Sequence, residues 1–432
     1  MKNLRWWFAF LFFIIGLVAY MDRSNIAVVA TPMMNDFHID KVKFGLLNSL
    51  FSLGYAVANL PAGALAEKFG ARYIVAFAML WWSIFTMLTA SMRSYGLLAT
   101  VRLLFGVGEG PMYPGNSVFN TYWFRTNEKA RASGALLAGS YFGPVIGPII
   151  TVAIYHAWGW HAVFYVFGVV GLIVTVIWFF LGRNKPEDHP SISSEELAHI
   201  QAGRSVQTEI KKAAPWGELL KNPRFWLFAL QYFVTIYVVT MFLVWLPTYL
   251  HEAHHLSVAK SGVEAASPWL AIFFVVLFGG AISDRMIKAG KSRMKARGGL
   301  AIGGFVVFVI AMFLAAHTSS AAANVLWLTV SLGALGLPVV TSWATALDLG
   351  NQFSGSVSGW MNFWGNVGAF LSPLVCGWLA QTVGWNAALL INIVPVLIAI
   401  IMWFGVRPDR PLLDDSESTS TVPKEFKAAT RG

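Results

Sequence analysis

Four charged residues lie within otherwise apolar stretches, and their types and spacing could support chemistry: Asp22, Arg23, Arg102 and Glu109. A charged side chain at the centre of a membrane helix costs about 2.5–3.5 kcal/mol, so four unpaired charges would cost about 10–14 kcal/mol. Two acids and two bases can neutralise one another. Carboxylates held between arginines and an apolar wall can also take up and release protons. These residues therefore predict a buried site for anions and protons.

The spacing places these charges on particular helix faces. Arg102 and Glu109 are seven residues apart, nearly two helical turns, and therefore share one face. Tyr20 and Arg23 also share a face, whereas Asp22 points about 100° away from Arg23. We expect Arg23 to face a central cavity with Tyr20, and Asp22 to turn toward the other charged helix. The alternative is a static ion-pair network, although buried ion pairs are often no more stabilising than apolar residues.

The elements that position these residues must be membrane helices. Of 432 residues, 56% are hydrophobic and 12% are charged, which is about half the charged share of an ordinary soluble domain. Such a chain has too little polar surface to cover a water-soluble globule. We therefore expect neither a soluble enzyme, nor a nucleic-acid-binding domain, nor a disordered chain. The single cysteine, Cys376, allows no internal disulfide and no cysteine-based metal site.

Apolar runs of about 20 residues, bounded by charge, glycine or proline, predict twelve transmembrane helices. Transmembrane strands would instead be about 10 residues long and alternating. The expected fold class is an all-α membrane protein with two pseudo-symmetric six-helix halves. The predicted spans lie near residues 6–30, 44–66, 72–92, 95–118, 131–154, 160–182, 224–250, 266–287, 298–317, 323–347, 354–381 and 386–406.

The distribution of lysine and arginine predicts the orientation. With the N-terminus in the cytoplasm, 25 of the 31 Lys and Arg residues fall on the cytoplasmic side, 4 outside and 2 within spans. Cytoplasmic loops of membrane proteins carry such an excess. We therefore expect both termini in the cytoplasm of a multi-pass protein of the cell membrane, specifically a bacterial inner membrane. The net charge of +10 then needs no nucleic-acid partner.

A long polar insertion divides the chain. The predicted organisation is an N-terminal half at 1–183, a cytoplasmic linker at 184–223, a C-terminal half at 224–410 and a disordered cytoplasmic tail at 411–432. Within the linker, Ser193 and Glu196 have the spacing of a capping box, which predicts the start of a short helix.

The two halves also read as a repeat, since aligning Gly63 with Gly280 aligns two acid–base pairs that follow the second span of each half. Two such halves predict a transporter with a central site at their interface. We expect the aligned loops to latch the cytoplasmic side while the outside is open. The gating residues of this hypothesis are Gly63, Glu67, Lys68, Arg72, Asp284 and Arg285.

Residues 63–72, Gly-Ala-Leu-Ala-Glu-Lys-Phe-Gly-Ala-Arg, resemble the signature loop of the major facilitator superfamily, G-x-L-x-D-R-x-G-R, with Glu67 keeping the charge of the usual aspartate. Within that superfamily the chain is similar to the anion:cation symporter family, which includes bacterial sugar-acid transporters. The resemblance covers all twelve spans. It rests on Tyr20-x-Asp22-Arg23-x-Asn25, Arg102-(six residues)-Glu109-x-Pro111-x-x-Pro114 and Trp245-Leu-Pro-Thr-Tyr249.

The resemblance implies roles for the central residues. The arginine at position 23 would bind the substrate carboxylate, and Tyr55 would hydrogen-bond the substrate. Asp22 and Glu109 would carry protons. We assign Arg102, which shares a helix face with Glu109, to the same proton-coupling group. Ser140 departs from the pattern, because some sugar-acid transporters of the family have a larger polar amide there.

Further substrate-binding candidates lie in the second half of the chain. They are Gln231 and Tyr237 in span seven and Asn362 in span eleven, with Asn366 one turn along the same face. Structural hydrogen bonding between helices is the alternative for each of them. The histidines at positions 156, 161, 251, 254, 255 and 317 lie near span ends and predict no metal site. No Walker loop or metalloprotease motif occurs, so we expect no ATP-driven transport, no enzyme activity and no cofactor other than protons as the coupling ion.

The sequence therefore predicts a proton-coupled symporter that imports a small organic anion by alternating access, as a monomer in the lipid bilayer. A sugar acid (aldonate, aldarate or hexuronate) is the expected substrate, and an aromatic carboxylate is the alternative. The span-five motif Gly139-x-x-x-Gly143-Pro144-x-x-Gly147-Pro148 resembles one of drug/proton antiporters, a second alternative. We assign that motif to helix packing and bending. A receptor without transport is a third alternative.

Overall fold

The computed structural model describes residues 3–203 and 214–413, with only the backbone given at position 352. The regular elements in these ranges are helices, joined by short turns. The α-helices are α1 Leu4–Val28, α2 Ala30–Phe37, α3 Lys41–Phe69, α4 Ala71–Ser91, α5 Tyr95–Glu109, α6 Met112–Trp123, α7 Lys129–Leu181, α8 Ser194–Gly203, α9 Trp216–Lys221, α10 Pro223–Ala253, α11 Val258–Glu264, α12 Ala266–Lys288, α13 Gly299–His317, α14 Ala321–Gly350, α15 Ser354–Thr382, α16 Trp385–Leu390 and α17 Ile393–Val406.

Ten of the helical segments are long and apolar enough to cross a membrane. One of these segments is α7, whose 53 residues contain spans five and six. The fourth span is divided between α5 and α6, and spans one, eight and twelve each consist of two helices in succession. The prediction of an all-α membrane fold with twelve spans is confirmed, with boundaries that differ by a few residues.

Span five turns into span six at Gly159. Its φ of 79° and ψ of 174° lie outside the helical region, and helix continues on either side. A positive φ is readily adopted only by glycine, which has no Cβ to clash with the backbone. This residue therefore ends one crossing and begins the next without an intervening loop.

Span four is interrupted directly after Glu109. Because Pro114 has no N–H, the carbonyl of Gly110 loses its helical partner. The side chain of Asn59 in span two replaces that partner, since its Nδ2 donates to the Gly110 oxygen at 2.9 Å. In lipid a freed backbone carbonyl must find such a donor. The break is therefore a stable feature that places the Glu109 carboxylate at a helix end.

The two halves repeat one pattern of helix pairing. In the first half span one packs along span five and span two along span four. In the second half span seven packs along span eleven and span eight along span ten, which are the equivalent pairs. This repetition is the pseudo-symmetry that the aligned loops predicted.

The linker is anchored to the start of span one. Its helix α8 starts where the capping box predicted, with the backbone N–H of Glu196 donating to Ser193 Oγ at 3.2 Å. The Glu196 carboxylate accepts from the backbone N–H groups of Leu4 at 2.8 Å and Arg5 at 3.1 Å. It thus caps α1, and Arg5 also pairs with Glu128 at 3.0 Å.

The C-terminal boundary lies slightly later than residue 410. Leu412 is buried, its backbone N–H donates to the Leu349 carbonyl at 3.0 Å, and its own carbonyl accepts from Asn222 at 3.1 Å. Residues 411–413 therefore pack on the second half. The rest of the predicted tail, 414–432, lies outside the described residues, as do residues 204–213 of the linker.

Candidate functional site

The two halves are joined on one side of the molecule. We call the side that carries the linker, residues 184–222, the linker face, and the opposite side the distal face. Hydrogen bonds between the halves join the distal part of span two to span eleven. The hydroxyls of Ser49 and Ser52 donate to the carbonyls of Phe370 at 2.5 Å and Ala369 at 3.3 Å.

Toward the linker face the halves separate. Val57 and Leu60 in the linker-side part of span two are 59% and 72% exposed. A Cβ at Gly63 in span two, or at Gly355 or Gly359 in span eleven, would meet no atom within 4 Å. The space between the halves is therefore closed at the distal face and open at the linker face.

An ion pair joins spans one and four near the level where the halves close. Arg23 Nε donates to Glu109 Oε2 at 2.6 Å. The Glu109 side chain is completely buried and the Arg23 side chain is 11% exposed. A charge-assisted hydrogen bond this short is a strong one. The structure thus pairs Arg23 with the acid of span four.

Aromatic rings surround the Arg23 guanidinium. Its central carbon lies 4.4 Å from the ring centroid of Tyr20, 4.8 Å from that of Tyr55 and 4.9 Å from that of Phe51. Ring faces attract cations, and more strongly where water is excluded. Tyr20 also lies within electrostatic reach of Tyr232 in the second half, so this cage is at the boundary between the halves. The expectation that Tyr20 and Arg23 share a face is confirmed.

Asp22 and Arg102 lie beside this pair but are not themselves paired. Asp22 is 1% exposed, and neither of its carboxylate oxygens has a hydrogen-bond partner among the described residues. Arg102 is 2% exposed and lies 4.8 Å from the Phe105 ring centroid and 5.3 Å from that of Phe51. Both acids are within electrostatic reach of Arg102. Asp22 thus turns toward span four as expected, but mutual pairing of all four charges is not observed.

Glycine contacts hold span one against span five at this level. A Cβ at Gly143 would lie 2.7 Å from both the Leu17 carbonyl oxygen and Tyr20 Cβ, which is too close for any larger residue. The helices can approach this closely only because glycine has no side chain. The structure therefore shows the packing role assigned to the span-five motif. The close approach at Gly143 also sets the position of Tyr20.

Two residues of the site have no counterpart in the sequence predictions. Phe51 contacts both guanidinium groups. It precedes Tyr55 by one helical turn, and that spacing was the available signal. The hydroxyl of Tyr113 donates to Ser140 Oγ at 2.8 Å. Ser140, which departs from the family pattern, is therefore already hydrogen-bonded within the first half.

The candidates of the second half lie on the other side of the interface. Gln231 is fully buried and its Nε2 donates to Ser342 Oγ at 3.1 Å, so substrate contact there would require that bond to break. The Tyr237 hydroxyl lies 3.9 Å from Cys376 Sγ. Asn362 is part-buried, and its carbonyl accepts from Asn366 at 2.9 Å.

The predicted gating loops lie at the linker face. In the first, Arg72 donates to the Phe179 carbonyl at 2.7 Å, while Glu67 and Lys68 are exposed. In the second, Arg285 is exposed, and Asp284 accepts from Arg297 at 2.9 Å. Asp284 therefore pairs within its own half in this arrangement.

The distal face carries an ion pair between the halves that the sequence did not predict. Lys41 Nζ lies 3.0 Å from Glu252 Oε2, and the same oxygen accepts from Trp385 Nε1 at 2.9 Å. Lys41 is one of the four basic residues that the orientation placed outside. Its contact with the other half gives a reason for a basic residue at that position. Groups of metal-ligating residues are not found within the described part of the chain.

Comparison with known proteins identifies the family. Residues 12–373 match the family model described as Major Facilitator Superfamily. The probable galactarate/D-glucarate transporter GarP of Escherichia coli (strain K12) is 31% identical, over 92% of this chain and 93% of its own length. The probable galactarate/D-glucarate transporter GudP of Bacillus subtilis (strain 168) is 29% identical, over 93% of this chain and 92% of its own length.

The fold also matches a solved structure. A bacterial homolog to the human lysosomal transporter Spinster, crystallised in an inward-facing and unoccupied conformation, superposes with a TM-score of 0.78. The alignment covers 95% of this chain and 98% of that protein at 18% sequence identity. At this identity the likeness concerns the fold alone.

Proposed function

This chain belongs to the Major Facilitator Superfamily of membrane transporters, and from that premise we propose that it imports a small organic anion together with protons by alternating access. It is a transporter of organic anions rather than an enzyme, as its relatives are. The finer proposal is a sugar acid, and the names of both relatives, which specify the aldarates galactarate and D-glucarate, support that general class. An aromatic carboxylate is the alternative within the same mechanism.

We place the linker face in the cytoplasm of a bacterial inner membrane, with both termini inside. The support is the distribution of 25 basic residues on that side against 4 on the other. With this orientation, the arrangement in which Ser49 contacts Phe370 and the linker side is open is an inward-open state.

The Arg23–Glu109 ion pair is the observation that carries the proposal. A substrate carboxylate and the Glu109 carboxylate are chemically alike, so both compete for the same guanidinium. Protonation of Glu109 removes its negative charge and frees Arg23 for the substrate. Loss of that proton restores the internal carboxylate, which displaces the substrate. Anion binding and proton binding are therefore coupled through one arginine.

The cycle follows from this exchange. In the outward-open state Glu109 and Asp22 take protons from outside, and Arg23 binds the substrate carboxylate. Tyr20 and Tyr55 then contact the rest of the molecule from the first half. From the second half we propose Gln231, Tyr237 and Asn362, provided the hydrogen bond of Gln231 to Ser342 breaks.

Release takes place on the cytoplasmic side. The neutralised complex rocks to the inward-open arrangement, where substrate and protons leave. Arg23 then returns to Glu109, at the 2.6 Å distance observed. Asp22 and Arg102 form a second group of buried charges through which another proton can be carried, because both lie within electrostatic reach of Glu109.

The test is uptake by the purified full chain in proteoliposomes with an imposed inward proton gradient. Labelled galactonate, glucuronate, galactarate and an aromatic carboxylate are offered in turn. We expect concentrative uptake of at least one acid, abolished by a protonophore. Extrusion of a cationic dye without uptake of any acid would instead identify a drug/proton antiporter. Binding of an acid without flux would identify a receptor.

A further inference from the structure

Arg23 is the accessible cation of the central site. Its guanidinium lies at the boundary between the halves, among Tyr20, Phe51 and Tyr55. Arg102 differs, because it is 2% exposed and its guanidinium lies against the rings of Phe51 and Phe105. To reach a ligand between the halves, Arg102 would have to leave both rings. The first half therefore offers a ligand one positive charge.

The opposite wall of the site has no charge to offer. The sequence contains no Asp, Glu, Lys or Arg at 225–250, 265–283, 298–347 or 354–406. The polar groups there are neutral. Thr345 Oγ1, Trp360 Nε1 and Trp364 Nε1 have no hydrogen-bond partner among the described residues, whereas other groups already form hydrogen bonds. Gln231 bonds to Ser342, Trp343 Nε1 donates to the Tyr232 hydroxyl at 3.0 Å, and Asn366 donates to the Asn362 carbonyl.

An occluded substrate is held between these two walls. Its first carboxylate replaces Glu109 at Arg23, one carboxylate for another. A second carboxylate at the far end of a six-carbon chain would lie against the uncharged wall, buried without a cation, which is strongly unfavourable. A neutral end with hydroxyls or an aromatic ring meets hydrogen-bonding groups and the part-exposed Trp343 indole instead.

We propose that this transporter selects anions with a single carboxylate and an uncharged remainder, such as aldonates and hexuronates, over dicarboxylates such as aldarates. This inference rests on the proposed function. Within the sugar acids it divides the substrates by charge, because the position of Arg102 behind Phe51 leaves the second carboxylate unmatched.

The experiment compares matched acids that differ in one terminal group. Binding of galactonate and galactarate, and of gluconate and glucarate, is measured by calorimetry on the purified full chain at one pH. We expect each monocarboxylate to bind at least tenfold more tightly than its dicarboxylate partner. Equal or tighter binding of galactarate overturns this inference alone, whereas absence of binding by any organic acid overturns the proposed function as well.

A gain-of-charge variant tests the physical reason. Asn366→Arg adds a cation to the uncharged wall, near the level where Ser52 contacts span eleven. It should improve galactarate binding relative to galactonate by about tenfold or more, whereas the matched control Asn366→Gln lengthens the side chain without charge and should not. Asn362→Arg, one helical turn away, serves if the first variant fails to fold. An unchanged ratio in the folded arginine variant would overturn the charge explanation.

Discussion

Arg23 and Glu109, 86 residues apart in the sequence, form a direct ion pair in which Nε donates to Oε2 at 2.6 Å. The pair joins the span that carries the proposed substrate-binding cation to the span that carries a proposed proton carrier. The contact is a single hydrogen bond, and Arg23 Nη2 and Glu109 Oε1 have no hydrogen-bond partner among the described residues. We propose that a substrate carboxylate and Glu109 compete for this guanidinium, which is a simple physical basis for coupling.

Replacing Arg23 should abolish high-affinity substrate binding. A hydrogen bond to a charged group contributes about 1.5–3 kcal/mol, so Arg23→Ala should raise Kd by roughly 10- to 150-fold. Arg23→Lys should lose most of the binding as well, since an ammonium group lacks the planar fork that grips a carboxylate. Calorimetry with the transported acid measures both.

The control variants separate binding from folding. Arg93→Ala removes an exposed basic residue and should leave Kd unchanged. Because Arg23→Ala leaves Glu109 buried without its partner, the double variant Arg23→Ala/Glu109→Gln removes both charges and should fold better. Wild-type affinity in Arg23→Ala would contradict the assignment of the arginine.

The two buried carboxylates should separate exchange from accumulation. Asp22→Asn and Glu109→Gln mimic the protonated forms, so each variant should still exchange substrate across the membrane. Neither should concentrate it when a proton gradient is imposed. Counterflow and proton-driven uptake are measured in the same proteoliposomes, and full accumulation in both variants would eliminate these residues as the coupling site.

The same carboxylates predict the electrical behaviour of transport. If both carry a proton in each cycle, a monoanion enters with one net positive charge. Uptake should then accelerate at an inside-negative potential, which contributes about 2.3 kcal/mol per charge per 100 mV. Potassium–valinomycin potentials test this. Electroneutral uptake of a monoanion would mean that one of the two acids is a structural partner of Arg102.

Contacts at the distal face and at the linker face should stabilise opposite conformational states of the transporter. The Lys41–Glu252 pair joins the halves at the distal face, so Glu252→Gln should shift the population toward outward-open forms. Neutralising Glu67 and Asp284 together should shift it toward inward-open forms. The measurement is thiol labelling of the Ser49→Cys variant from outside, in a Cys376→Ser background. Labelling should rise when Glu252→Gln is added and fall when Glu67 and Asp284 are both neutralised.

A charge-reversal control sharpens the test of the distal latch. Lys41→Glu with Glu252→Lys keeps an ion pair and should restore labelling toward the starting level, whereas either single reversal should not. Unchanged labelling in Glu252→Gln would leave Lys41 without a gating role. Unchanged labelling when Glu67 and Asp284 are both neutralised would likewise leave the linker-face loops without a gating role.

Adding a methyl group at Gly143, in span five, should disturb the central site. Its Cβ would lie 2.7 Å from Tyr20 Cβ and from the Leu17 carbonyl oxygen, so span one must move outward. Gly143→Ala should therefore lower substrate affinity and transport by about tenfold or more. The matched control is Gly134→Ala in the same span, where a Cβ meets no atom within 4 Å. Equal activity of both variants would show that the close approach is not required.

Acid should loosen the anchor of the linker. Burial alone would raise the pKa of Glu128, but its hydrogen bonds and ion pair with Arg5 outweigh this and hold the pKa below the ordinary value of 4.5. A carboxyl group whose pKa is lower in the folded state stabilises the fold above its unfolded pKa, and this contribution is lost as pH falls through the folded pKa. Apparent Tm should therefore drop below about pH 4.5, and less steeply in Glu128→Gln. The exposed acid of the linker, Glu218, provides the control, since Glu218→Gln should follow the wild-type pH profile.

The sequence alone determined the spans, the two halves and the identities of the buried charges. Apolar runs and helical spacing are local properties, so they can be read without knowing which helices meet. The same spacing correctly placed Tyr20 and Arg23 on one face and turned Asp22 toward span four. The positions of the linker helix and of the span-five packing motif were also accessible, because capping boxes and small-residue spacing are local signals.

Only the tertiary structure decided which charges pair and where the halves touch. In the sequence, Arg23 and Arg102 could each have paired with either acid. The crossing of spans one, two and four places Glu109 beside Arg23, and Arg102 lies against the ring of Phe51 instead. Likewise, Lys41 looked like an exception to the charge rule until the packing of span two placed it beside Glu252. Such contacts depend on the distances and angles between helices far apart in the chain, and helical periodicity contains no information about them.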